Sequence, residues 1–306
     1  MKTDQIIVSV CSITYNHVGY IRQCLDGFLM QKCNFRYEII INDDCSIDGT
    51  TEILREYETN YRNLITVVYH DENQYRKGLR GMFGRFVFPK AKGKYIALCE
   101  GDDYWTDPYK LQKQVDYLES HPNYSMCFHN ALEHWEDGRV EDRLFSHVED
   151  REYKGEEIFS KWIVPTASVL FRRQIVESEL YKSVINNKTF IYGDITMFLT
   201  CANYGKLHGM ADAMSVYRKQ PGGAVYNYNV ERQKEQAYHE LEMYKVFGDR
   251  YKNISIQRFS KFAMEAFWCL KANGKIDLKL LLDIAIYSPS TLLHEIVKRI
   301  KVGFIN

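Results

Sequence analysis

Residues 37–54, YEIIINDDCSIDGTTEIL, decide the fold. Tyr37 to Ile41 is an apolar run with the length and β-branched content of a strand buried on both faces, and two acids, Asp43 and Asp44, follow it. Ser46 to Thr50 then supplies turn and helix-capping chemistry, and Ile53, Leu54 and Tyr57 recur at helical spacing. A buried strand that passes through a polar turn into an amphipathic helix is the repeating unit of a doubly wound α/β sheet.

The same order extends in both directions. Ile6 to Ile13 reads as a first strand, with Ile21, Leu25 and Phe28 on one face of the helix after it; Thr66 to Tyr69 and Tyr95 to Cys99 read as the third and fourth strands. Asp107 is expected to cap the next helix with Pro108 at its first position, Leu111, Val115 and Leu118 form its face, and His121-Pro122 ends it. Ser125 to Asn130 and Ser168 to Arg172 read as strands, Asp194 to Ala202 as a short helix, and Ala213 to Tyr217 as a strand. Residues 131–160 are polar and charged without a clear period, and from Tyr228 on only helices are expected. The division implied is a mixed α/β domain over 1–225 and a helical region over 226–306.

Forty Lys and Arg balance forty Asp and Glu in 306 residues, which argues against a chain-wide polyanion binder, so no nucleic-acid partner is expected. The balance is uneven, because Lys245 to Asn306 holds 11 basic and 5 acidic residues and leaves an acidic body. No apolar run reaches the ~18 residues of a membrane span. The start MKTDQIIVSV shows no signal-peptide pattern, so a cytoplasmic location is expected. The eight cysteines mostly occupy apolar stretches without CxxC pairs and read as reduced core residues. His70, His129, His134 and His147 lack the spacing of a ligand set.

Ligands of a doubly wound sheet bind beyond the carboxyl ends of its strands. TYNHVGY follows the first strand, NDDCSIDGT the second and EGDDYW the fourth. Asp43, Asp44, Ser46 and Asp48 suit a capping turn as well as a ligand site. Glu100, Asp102 and Asp103 crowd three acids into four residues, and repulsion there raises one or more pKa values. A hard divalent cation, Mg²⁺ or Mn²⁺, is the natural compensation, and Gly101 is expected to let a ligand approach the backbone.

VSVCSITYNHVGYIRQCLDGFLMQ (8–31), YEIIINDDCSIDGTTEIL and AKGKYIALCEGDDYWTDPYKLQKQVDYL (91–118), in this order, resemble the inverting family 2 glycosyltransferases of GT-A fold. The EGDDYW form is similar to the branch that builds bacterial surface polysaccharides. The resemblance implies a nucleoside diphosphate sugar donor, UDP-linked, with Thr14 and Tyr15 in the nucleotide pocket, Asp44 accepting from the base and Asp43 supporting it. It implies Asp102 as the main metal ligand beside Glu100, Asp103 as a second ligand or a hold on the ribose, a basic residue among Arg76, Arg80 and Arg85 at the nucleotide, with Arg85 chosen, and Arg218 of YRKQPGG near the diphosphate. Asp194 of TFIYGDITMFL stands where the family has its catalytic base, with Gly193 in place of a preceding acid and Gln220 in place of a histidine. Trp162 falls in the segment that faces the acceptor, a glycan or polyprenyl-linked glycan, and suits either sugar stacking or the core.

Two other readings stay open: a nucleotidyltransferase of similar sheet, which TYNHVGY disfavours by lacking a Gly-rich phosphate loop, and a non-catalytic glycan- or nucleotide-binding relic. At the carboxyl end, Leu278, Leu281, Leu282 and Ala285 form one stripe. Leu292 or Leu293, Ile296, Val297 and Ile300 form another, with Lys298, Arg299 and Lys301 available beside it. These suit peripheral contact with the inner face of the plasma membrane, or packing within the protein.

Overall fold

The structure, a computed structural model, describes residues 5–220, 229–294 and 297. They divide into two compact units, one of residues up to 187 with 192–220, the other of 188–191 with 229 onward. The boundary expected at 225 lies outside the described residues, as do Ile296, Lys298, Arg299, Ile300 and Lys301.

The first unit is a ten-stranded mixed sheet. Strands β1 (Ile6–Thr14), β2 (Arg36–Asp43), β3 (Ile65–Tyr69) and β4 (Tyr95–Leu98) run parallel in the order β3-β2-β1-β4, with α1 (Ile21–Leu29) and α2 (Thr50–Asn60) as crossovers. Val8, Val10, Ile39, Ile41, Tyr95 and Ala97 are buried, which is why these strands read as continuous apolar runs. After β5 (Tyr104–Trp105), α3 spans Lys110–Ser120, not from Pro108. Asp107 instead accepts the Tyr109 N–H (2.7 Å) in the turn before the helix, so it caps that turn and Pro108 precedes the helix.

The other half of the sheet departs more from expectation. β6 (Tyr124–Trp135) is twice the expected strand and continues into residues that had no clear period; β7 (Arg143–Leu144), β8 (Arg151–Tyr153) and α4 (Gly155–Lys161) follow. β9 (Leu170–Arg172) lies antiparallel between β4 and β6, after a 3₁₀ turn over Thr166–Ser168. α5 (Glu179–Asn186) and α6 (Gly193–Tyr204) lead to β10 (Lys206–Lys219), which pairs in parallel with β6 along its whole length. Register shifts between Met210 and Ser215 break the alternation that would have revealed its first half. Gly209 sits in that half because a Cβ there would meet the Tyr153 ring at 2.5 Å.

The second unit contains α7 (Val230–Phe247), α8 (Lys252–Ala272) and α9 (Leu278–Tyr287) around Ala237, Leu241, Phe259, Ala263, Phe267, Leu280 and Ile284. All eight cysteines are free, and Cys11, Cys24, Cys99, Cys127 and Cys201 are buried. No described helix is long and apolar enough to cross a membrane.

Candidate active site

Three turns meet at the carboxyl ends of β1, β2 and β4. The first two are stitched together: the Asn16 N–H donates to Ser46 Oγ (2.9 Å), the Ile47 N–H to Asn16 Oδ1 (2.9 Å), the His17 N–H to Thr50 Oγ1 (2.8 Å) and the Val18 N–H to Asp48 Oδ2 (2.9 Å). Asn16 holds a left-handed φ of 56°, which its short amide side chain tolerates. Buried Asp43 accepts from Ser46 N–H and Oγ–H and from Thr51 Oγ1–H, so its carboxylate organises the turn.

Asp44 is buried too, and both its oxygens accept backbone N–H groups, from Gln74 (2.7 Å) and Tyr75 (3.0 Å). It therefore ties down the segment after β3. That segment places the Arg76 guanidinium 5.5 Å over the Tyr15 ring. Arg85 does not share this position: its Nε donates to the Arg80 carbonyl and its Nη2 to the Ile185 carbonyl, 2.7 Å away on α5. Of the three arginines, Arg76 stands beside the TYN turn. Asp44→Ala removes the acceptor for two amides, and we expect UDP affinity to fall by about 1–3 kcal/mol on calorimetry; unchanged affinity would move base recognition elsewhere.

The third turn is anchored on β1 through the Gly101 N–H, which donates to the Ile13 carbonyl (2.9 Å). A Cβ on Gly101 would meet Thr14 Oγ1 at 2.7 Å and His17 Nδ1 at 3.1 Å, so packing against Thr14 by itself requires the glycine. His17, which sequence reasoning left without a role, meets Thr14 Oγ1 through Nδ1 (3.1 Å) and places Nε2 3.8 Å from Asp102 Oδ2. Gln220 donates to the same oxygen (3.2 Å).

Asp103 is buried; its Oδ1 accepts the Arg218 N–H (2.9 Å), and its Oδ2 has no hydrogen-bond partner. Burial, and then the Asp102 and Glu100 charges, push its pKa well above the carboxylate range. Glu100 is pushed up to about 8 by burial, then by Asp102 and Asp194. Among the described residues no group of three or more His, Cys, Asp or Glu is gathered as a ligand set; the orphaned Asp103 oxygen beside Asp102 is the one feature of the turn that suits a hard divalent ion.

Arg218 is not free to meet a diphosphate. Its guanidinium is buried between the rings of Tyr104 (4.5 Å) and Tyr20 (5.1 Å) and donates to Glu136 and to Gln23. One cation thus pins β10, α1 and the acidic turn together. Trp105 is the second pin: its Nε1–H donates to the Ala167 carbonyl (2.9 Å), Phe28 meets it edge-on, and buried Lys110 lies 4.1 Å over its ring. Arg218→Ala leaves Glu136 without its cation, and we expect a loss of roughly 3 kcal/mol in urea unfolding. Arg218→Lys should recover only part of it, because an ammonium cannot fork to two partners at fixed angles.

Asp194 lies in the first turn of α6, two residues inside the position a cap would take, since Tyr192 is the N-cap. Burial raises its pKa to about 6, and the Ile195 and Asp194 N–H groups oppose the shift. A Cβ on Gly193 would meet nothing within 4 Å, so the missing acid there has no steric cause. Tyr217 on β10 stands among these groups: burial and then Glu100, Asp103, Asp102 and Asp194 hold its hydroxyl protonated far above neutrality. Trp162 closes α4 in a left-handed conformation (φ 49°) and meets Tyr192 edge-on at 5.6 Å, half-buried rather than in the core.

The family model for glycosyl transferase family 2 matches residues 9–180, the stretch that carries all three turns. The chain belongs to glycosyl transferase family 2. An uncharacterized Mycobacterium tuberculosis protein is 34% identical over 227 residues, covering 74% of this chain and 63% of its own. The Escherichia coli UDP-Glc:alpha-D-GlcNAc-diphosphoundecaprenol beta-1,3-glucosyltransferase WfaP is 32% identical over 114 residues, 37% of this chain and 42% of WfaP. The chain thus spans less than two thirds of the length of these curated relatives. Among solved structures, Staphylococcus aureus TarS 1–349 with UDP-GlcNAc superposes with TM-score 0.63 at 16% identity, over 83% of this chain and 72% of that one. The Pyrobaculum calidifontis mannosyltransferase PcManGT with GDP-Man and Mn²⁺ gives 0.56 at 16%, over 94% and 83%. The fold of this family 2 chain is GT-A, and membership of that family weighs against the nucleotidyltransferase reading.

Proposed function

We propose that this glycosyltransferase moves one sugar, with inversion, from a UDP-linked donor to a hydroxyl of a polyprenyl-linked glycan, in bacterial surface polysaccharide synthesis. The observation that carries the reading is the meeting of the β1, β2 and β4 turns, tied by Asn16–Ser46 and Gly101–Ile13 hydrogen bonds, with Asp194 near enough for its charge to act on Glu100. Asp102 and Asp103 would hold Mn²⁺ or Mg²⁺, which when bound neutralises charge on the departing diphosphate. Tyr15, Arg76 and Asp44 flank the nucleotide. Asp194, ionised, takes the proton from the acceptor hydroxyl as the new C–O bond forms. His17 and Gln220 hold Asp102 Oδ2 on the protein side until the donor arrives. Trp162 and Tyr192 offer an aromatic surface to the acceptor sugar.

The lipid-linked acceptor is supported by the WfaP name, and UDP by the donor in that name and the ligand in TarS. A thermal-shift panel of UDP- and GDP-sugars with Mn²⁺ tests the reading, because a ligand of the folded state raises the apparent melting temperature. UDP-sugars should raise it and release UDP on turnover; a response to GDP-sugars alone would overturn the donor, and a response to neither would favour a relic without catalysis.

A further inference from the structure

The buried face of α9 is Leu280 and Ile284, packed into the core of its own unit. On the opposite face, Leu278, Leu282 and Ile286 follow one another at four-residue spacing and are 69%, 62% and 69% exposed. The sequence stripe is thereby corrected: Leu281 turns partly into the core, and Ile286 joins the outer line. Ile276 before the helix and Leu293 and Val297 after it are exposed as well. Six of the fifteen exposed large apolar side chains among the described residues fall in these 22 positions, so the patch is a concentration and not ordinary scatter.

We infer that this face of α9 docks on an anionic lipid bilayer. Charge selects the occupant. Residues 271–306 hold six basic and three acidic residues. The two acids nearest the stripe are already neutralised within the protein, Asp277 by Lys234 (2.8 Å) and Asp283 by Lys279 (2.8 Å). Lys271 and Lys275 are exposed on the approach to the helix. The patch is wholly aliphatic, without the Trp, Tyr or Arg anchors that carry most protein interfaces. An aliphatic line bordered by lysines suits a helix lying in the plane of the headgroups, its apolar face immersed ~5–10 Å. A ten-residue helix cannot span the bilayer, so contact is peripheral. The purpose of the contact rests on the lipid-linked acceptor proposed above; the contact itself does not.

Co-sedimentation with phosphatidylcholine vesicles, with and without phosphatidylglycerol, tests the inference. The intact chain should bind only the anionic vesicles, and L282E/I286E should abolish binding. K271E/K275E should weaken binding by roughly fivefold for each lysine. Both variants should keep the wild-type melting temperature and its shift with UDP and Mn²⁺, which separates loss of docking from misfolding and from failure of the enzymatic reading. Equal sedimentation of wild type and L282E/I286E, or no preference for anionic vesicles, would overturn it. So would a change from dimer to monomer in L282E/I286E without vesicle binding, which would make the stripe a face between copies.

Discussion

Asp194→Asn is expected to lower sugar transfer sharply while UDP-sugar binding stays near wild type. Asparagine keeps the shape of the side chain and cannot accept a proton, so the loss falls on the transition state alone, roughly 10²–10⁴-fold in kcat for a positioned base. The structure also sets the pH dependence. Burial pushes the Asp194 pKa up to about 6, and a base acts only when unprotonated. kcat/KM should therefore rise through pH ~6, where an ordinary aspartate would give its limb near pH ~4. Normal transfer by Asp194→Asn, or unfolding of the variant, would return Asp194 to a structural role in the first turn of α6.

Asp102→Asn is expected to lower turnover by roughly two to four orders of magnitude, through the several kcal/mol of charge stabilisation lost at the diphosphate. Its fold should survive. Asp102 is half-exposed and its hydrogen-bond partners, Gln220 and the nearby His17, are side chains at the cleft. The deeper acid, Asp103, is different: it accepts from the Arg218 backbone, so Asp103→Asn should lose stability as well as activity. Mn²⁺ affinity measured by electron paramagnetic resonance separates the two effects. Wild-type Mn²⁺ affinity and full activity of Asp102→Asn in EDTA would remove the metal from the account.

How much of this was legible depended on what each residue answers to. β1, β2 and β4 are buried on both faces, so their sequences are apolar runs that admit one reading, and the acids that end them announce a site. β10 was read at a third of its length because Gly209 and the register shifts answer to Tyr153 and β6, distant in sequence. Residues 131–160 were opaque for the same reason. Val148 there accepts from and donates to the Asn130 side chain, which also donates to the Ala211 carbonyl, bonds with no local signature. Gly101 carries a second demand that its letter does not reveal, since a Cβ there would strike Thr14.

The arginines show the limit most clearly. Arg76, Arg80 and Arg85 are equivalent as letters, and only the pinning of Gln74 and Tyr75 on Asp44 brings Arg76 to Tyr15 while Arg85 turns to Ile185. Arg218 is expected near the diphosphate by resemblance alone, whereas its burial between two tyrosines and its pairing with Glu136 make it a tie that holds the acidic turn. His17 and Tyr217 lie inside quoted motifs, and their place in the cleft follows from the closeness of β1, β4 and β10 at one end of the sheet.

The central claim, a single displacement assisted by Asp194 beside the Glu100–Asp103 turn, is tested most directly by the anomer it produces. Nuclear magnetic resonance of the sugar first released to water from an α-linked, C1-labelled UDP-sugar, in the presence of Mn²⁺, reads that anomer before mutarotation without requiring the natural acceptor. The account predicts the β-anomer, with release lost in Asp194→Asn. Initial appearance of the α-anomer would contradict it, because retention requires a second displacement that one base opposite the diphosphate cannot supply.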